Sequence, residues 1–133
     1  MVVPATRNPN ERTLVQYMIL IYSDPAEMQQ QSESEQRQMV GEYMAYSESL
    51  RQAGVYQSGE GLEPPSTATT VRVRDGKQLI SDGPFAETRE VLGGFYLIEC
   101  ESLDDALTHA AACPGARHGS VEVRPVMQIP ART

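Results

Sequence analysis

The sequence predicts an α+β domain, and three observations predict it. Four strand-length segments are apolar or alternate in polarity. Two others repeat apolar residues at helical spacing, and the order is strand, helix, strand, strand, helix, strand. Between the second and third of these strands, Asp75-Gly76 sits inside an alternating stretch, a strong signal for an inserted β-hairpin arm.

Each element has its own physical reason. Val15 to Tyr22 (VQYMILIY) is apolar in both alternating sets, as expected of a strand covered on both faces. Ser23-Asp24-Pro25 ends it with turn chemistry. Ser32 with Glu35 three residues on forms a capping box, and Met39, Tyr43, Tyr46, Leu50 and Ala53 then make one helical stripe. Gly54 supplies the left-handed stop, and Gln29 to Gln38 reads as a solvated loop and first turn. Val55 to Ser58 is a short strand, followed by a loop from Gly59 to Pro65. In the arm, Val71 and Val73 alternate with Arg72 and Arg74, and Lys77 to Ser81 returns. Asp82 to Gly93 is a loop, and Gly94 to Cys100 a further apolar strand. Ser102 and Asp105 open a second helix carrying Leu103, Ala106, Leu107, Ala110 and Ala111, which Pro114 and Gly115 end. Ser120 to Val126 alternates again.

Without the arm this is β-α-β-β-α-β, the ferredoxin-like arrangement, with both helices on one face of an antiparallel sheet. The strands at 15–22 and 94–100 are apolar on their second face too. The expected cover is a second copy, giving a homodimer whose sheets meet as a barrel.

Composition narrows the function. The 133 residues suit one domain, and 11 Lys and Arg against 18 Asp and Glu give a net charge of −7. That acidity argues against nucleic acid or an anionic membrane as partner. No apolar run is long enough for a membrane span, and residues 1–13 lack the apolar core of a secretory signal. Cys100 and Cys113 flank a helix of about ten residues, roughly 15 Å long, too far apart to bridge. They are read as reduced core thiols in a cytoplasmic protein. No nucleotide, zinc or hydrolase motif occurs, so neither a cofactor nor a metal is expected.

The chemistry-bearing residues gather after the arm. Gly83-Pro84 forces a tight turn with Phe85 as its hydrophobic anchor. Asp82, Glu87, Arg89 and Glu90 put three carboxylates and one guanidinium within nine residues. Crowded carboxylates raise one pKa, which suits acid/base work; alternatively Arg89 pairs with a carboxylate and orders the loop. His118, just before the last strand, is either a proton carrier or a surface residue. Glu60, between two glycines, and the Glu122/Arg124 pair are candidate substrate contacts or members of an ion-pair network.

Met18-Ile19-Leu20-Ile21-Tyr22, Gly59-Glu60-Gly61-Leu62 and Thr69-Thr70-Val71-Arg72 resemble segments of the YCII-related family. So do Asp82-Gly83-Pro84-Phe85-Ala86-Glu87-Thr88-Arg89-Glu90, Leu92-Gly93-Gly94-Phe95-Tyr96 and Gly119-Ser120-Val121-Glu122-Val123-Arg124-Pro125. The signature resembles that of the family's DGPF-motif branch, and the likeness covers residues 14–126 as one domain, leaving tails 1–13 and 127–133. The resemblance implies a dimeric α+β barrel of ferredoxin-like protomers and carries no established reaction. It also implies a His–Asp pair, which would fall on Asp82 and His118. The chain departs from the pattern in having no histidine in its N-terminal half. Two functions follow. One is a small-molecule-binding or acid/base protein with Asp82 and His118 as catalytic candidates and Glu60, Glu87, Arg89 and Arg124 as binding candidates. It requires Asp82, Glu87, Arg89 and His118 to line one concave site. The alternative is a non-catalytic accessory or regulatory protein, since relatives are often encoded beside extracytoplasmic-function sigma factors.

Overall fold

The computed structural model describes residues 13–129; the remainder of the expected arm and tail, 1–12 and 130–133, lies outside them. Strand β1 (Val15–Ser23) leads through a short helix α1 (Pro25–Gln29) to the long helix α2 (Glu33–Gln52) and strand β2 (Tyr56–Gly61). A 3-10 turn at Pro65–Thr67 precedes the hairpin β3 (Thr69–Arg74) and β4 (Lys77–Asp82). Strand β5 (Val91–Cys100), helix α3 (Leu103–Ala111), a one-turn helix α4 (Gly115–His118) and strand β6 (Ser120–Pro125) complete the chain.

The main sheet is antiparallel with order β2-β5-β1-β6, which is the ferredoxin-like order, and the hairpin forms a separate two-stranded sheet. Alternation sorts each central strand into two sets. Tyr17, Ile19 and Ile21 of β1 with Tyr96, Ile98 and Cys100 of β5 are buried against Tyr46 and Leu50 of α2 and Ala106 and Ala110 of α3. Met18, Leu20, Phe95 and Leu97 occupy the opposite face and are only half-buried in the protomer.

Local chemistry fixes the helices. In α2, Ser32 Oγ accepts from the Glu35 amide at 3.1 Å while Glu35 accepts from the Ser32 amide at 3.2 Å, the reciprocal cap expected. Ser32's bonds also hold the Glu35 carboxyl below the usual range. Gly54 ends the helix at φ 75. Ser102 caps α3 by accepting from the Asp105 amide. The Tyr46 hydroxyl donates to the His109 carbonyl at 2.7 Å and ties α2 to α3. Both cysteines are buried free thiols. Asp75 and Gly76 take φ 52 and 73, the positive pair that a tight hairpin turn demands.

Several boundaries differ from expectation. The residues between Ser23 and Ser32 are not all loop: Asp24 caps α1 by accepting from the Ala26 amide, and Pro25 starts it. Strand β2 runs on to Gly61 and β5 begins at Val91, because Gly59 pairs with Tyr96 and Gly61 with Gly94. Backbone pairing thus overrides the poor strand propensity of Gly-Glu-Gly. After α3 the chain makes one more helical turn, α4, before β6. Phe85 is not an anchor: it is 77% exposed, and the turn is held instead by Gly83 at φ 91. Gly83 donates to the Ala68 carbonyl, and its own carbonyl accepts from Thr70.

Candidate functional site

The register decides which loops meet. Ser23 lies opposite Val91, and Tyr22 lies opposite both Leu92 and Ser120. The end of β1, the start of β5 and the start of β6 therefore share one end of the sheet. There, Asp24 and Glu27 of the first segment, Thr88, Arg89 and Glu90 of the loop, and His118 of α4 line a cavity of about 430 Å³.

Its geometry is set by a few polar bonds. Asp24 uses Oδ1 to cap α1 at 2.9 Å and Oδ2 to accept from Arg89 Nε at 3.3 Å. The Arg89 side chain is 85% exposed, so the ion pair contributes at most about 1 kcal/mol. Among the described residues only Nε is engaged, by Asp24, which leaves the terminal nitrogens of the guanidinium as a forked donor. Glu90 accepts from Ser120 Oγ through both oxygens at 3.2 Å, and Thr88 Oγ1 donates to the Glu90 carbonyl at 2.6 Å. These bonds orient the loop side chains around the cavity.

The candidates are thus dispersed. Arg89 and His118 come together, with Glu90 beside them. Asp82 is the exposed last residue of β4, opposite Thr69, and is not among the residues lining the cavity. Glu87 is exposed and likewise outside it. Glu60 lies on β2 opposite Phe95, in a segment that walls a second, larger cleft beside α2. Glu122 and Arg124 lie on β6 opposite Leu20 and Met18. Glu122 accepts from the Tyr22 hydroxyl at 3.4 Å, and burial together with Glu122 raises the tyrosine pKa. Arg124 is exposed and forms no ion pair among the described residues. Of the adjacent Gly93 and Gly94, Gly94 is required by packing, since a Cβ there would come within 2.9 Å of the Glu60 carbonyl.

Sequence reasoning missed Asp24 and Glu27. The signal was present in Asp24-Pro25, a helix-cap dipeptide at the end of a central strand, where site loops collect. No group of His, Cys, Asp and Glu among the described residues has metal-binding geometry. Among the same residues no helix is long and apolar enough to cross a membrane.

Fold and cavity together define a ferredoxin-like α+β protein with a charged recess at one end of its sheet. The model of the YCII-related domain matches residues 15–130. An uncharacterised protein of Rhizobium meliloti (strain 1021) is 38% identical over 112 residues, covering 83% of this chain and 90% of that relative. The chain belongs to the YCII-related domain family.

Proposed function

We propose that this protein is a homodimeric, cytoplasmic binder of a small polar molecule, with acid/base capability, whose site is the recess at the end of the sheet. The observation that carries the reading is the convergence there of charged groups from three distant segments, 24–27, 88–90 and 118. Arg89 offers its free edge to a carboxylate, Glu27 and Glu90 accept from an ammonium or hydroxyl group, and His118 can move a proton. That combination fits a small amino or hydroxy acid. A dimer is supported by the half-buried row Met18, Leu20, Phe95 and Leu97, which a second sheet would cover. Two buried free thiols support a reducing compartment.

The test is a thermal-shift screen against amino and hydroxy acids at millimolar concentration. At least one should raise the melting temperature, and Arg89→Ala and His118→Ala should each reduce that shift by half or more. Unchanged shifts in both variants, or no active compound, would reject the reading. Light scattering should return twice the 14.7 kDa of one chain. A monomer mass would reject the dimer.

A second reading, an accessory protein, is favoured by the hairpin. Val71, Val73 and Ile80 share one face and are 54–62% exposed, while Arg72, Arg74 and Lys77 share the other. A two-stranded ribbon is marginally stable alone, so this apolar face suits a protein surface. A sigma factor that binds the wild type but not Val71→Asp would support it, and binding unaffected by that change would oppose it.

A further inference from the structure

The larger cavity is separate from the loop recess and shares no lining residue with it; α1 stands between them, Glu27 on one side and Met28 on the other. It is a cleft of about 760 Å³ between α2 and the β2–β5 end of the sheet, within the span of about 300–1,000 Å³ usual for small-molecule sites.

Three features describe its occupant. The first is the wall. Met28, Val40, Met44 and Leu62 line the cleft and are each half exposed or more, which leaves apolar area in one concave place rather than scattered singly. Val40 and Met44 stand four residues apart on α2, beside the stripe that packs the core, and so widen it toward the cleft. The two thioether side chains can adapt to a flat apolar body and make favourable contact with aromatic rings.

The second is the floor. Ser47 and Tyr96 place their hydroxyl oxygens 2.7 Å apart. One must donate to the other, and whichever accepts keeps its own proton without a further acceptor among the described residues. The floor therefore presents one O–H donor inside an apolar wall, where a ligand acceptor gains most from meeting it. Gly59 lets Tyr96 occupy this position, since a Cβ at 59 would come within 2.7 Å of its ring.

The third is the end. The Arg51 guanidinium lies over the Tyr56 ring at 4.4 Å, and both residues line the cleft. The cation is packed on an aromatic face, its Nη1 lies 3.7 Å from Glu48, and Glu60 and Glu63 line the same cleft, so positive charge there is already offset. An anionic ligand is not what these surroundings select.

We propose that the cleft binds an aromatic, largely apolar small molecule bearing a single hydrogen-bond acceptor, such as an aromatic ketone, with the acceptor on the Ser47–Tyr96 hydroxyl pair. The test uses the full chain and the polarity-sensitive naphthyl ketone prodan. Its emission should shift to the blue and saturate at one probe per chain. The naphthyl analogue without the carbonyl, read by displacement of prodan, should bind about fivefold more weakly or worse. Val40→Glu and Met44→Glu, both at exposed helix positions, should weaken prodan binding by about tenfold or more with unchanged circular dichroism. Arg89→Ala should leave it unchanged, so this site stands or falls apart from the loop recess. The proposal is overturned by a shift that does not saturate, or by full binding in both glutamate variants. A change of mass in either variant by light scattering would overturn it as well, because a second copy would then be filling the cleft.

Discussion

Gly119→Ala should lower stability by about 3 kcal/mol or more, the largest effect expected of any single methyl added to this chain. Gly119 joins α4 to β6, and its amide donates to the Gly115 carbonyl at 2.8 Å. A Cβ at this position would overlap the carbonyl oxygen of Tyr22 and come within 3.2 Å of Ser23 Cα. Both are backbone atoms of β1 and cannot rotate out of the way, so β6 would have to leave its register, Tyr22 opposite Ser120. The contrast is Gly41, in the middle of α2, where an added Cβ meets nothing within 4 Å. Gly41→Ala should therefore stabilise by up to about 1 kcal/mol, because it only restricts the unfolded chain and improves helix propensity. Urea unfolding midpoints at neutral pH measure both. A Gly119→Ala variant within about 0.5 kcal/mol of the wild type would show that the β1–β6 junction is not as close as described.

Stability should also fall steeply in alkali. Burial is the main cause that raises Tyr43, Tyr46 and Tyr96 above the usual tyrosine value of 10.0 and Cys113 above the usual thiol value of 9.0. Cys113 raises Tyr43 further, whereas the Tyr43 hydroxyl, bonded to the thiol, draws Cys113 partly back down against the effect of burial. For acids that are neutral when protonated, a raised folded value means that the unfolded chain releases its protons first. The stability they provide is complete below about pH 9 and is lost as pH climbs through the unfolded values toward the folded ones. Each group adds a slope of at most about 1.4 kcal/mol per pH unit over its window, less where water screens it. The urea midpoint should be level from pH 7 to 9 and drop progressively by pH 11. A level midpoint to pH 11 would mean that these groups ionise as freely inside the fold as outside it.

What the sequence discloses about this molecule depends on how local each cause is. The capping pairs Ser32/Glu35 and Ser102/Asp105, the stop at Gly54 and the turn at Asp75-Gly76 are settled within four residues, and all appear where the pattern puts them. Helix α1 escapes notice because Pro25–Gln29 buries nothing and so has no stripe to detect. The extension of β2 through Gly59-Glu60-Gly61 escapes because its reason lies in β5, more than thirty residues away. Phe85 misleads for the opposite cause: an aromatic residue beside a rigid turn suggests burial, yet no surface among the described residues covers it. The recess follows the same rule. Arg89, Glu90 and His118 stand out by residue type and position, whereas Asp24 matters through the opposition of Ser23 to Val91 and Tyr22 to Ser120, which only the assembled sheet supplies.

The strand order places β2 and β6 at the margins of the sheet, and neither margin invites another strand. Strand β2 is bulged between Tyr56 and Ser58, holds two glycines and is followed by Pro64 and Pro65, which twist and interrupt its outer row of amides. Strand β6 is short, carries Glu122 and Arg124, and ends at Pro125. Lateral growth of the sheet from chain to chain, the route to ribbons and fibrils, is thereby closed off at both sides. The half-covered apolar rows of this four-stranded sheet can therefore meet another copy face to face, and not border to border.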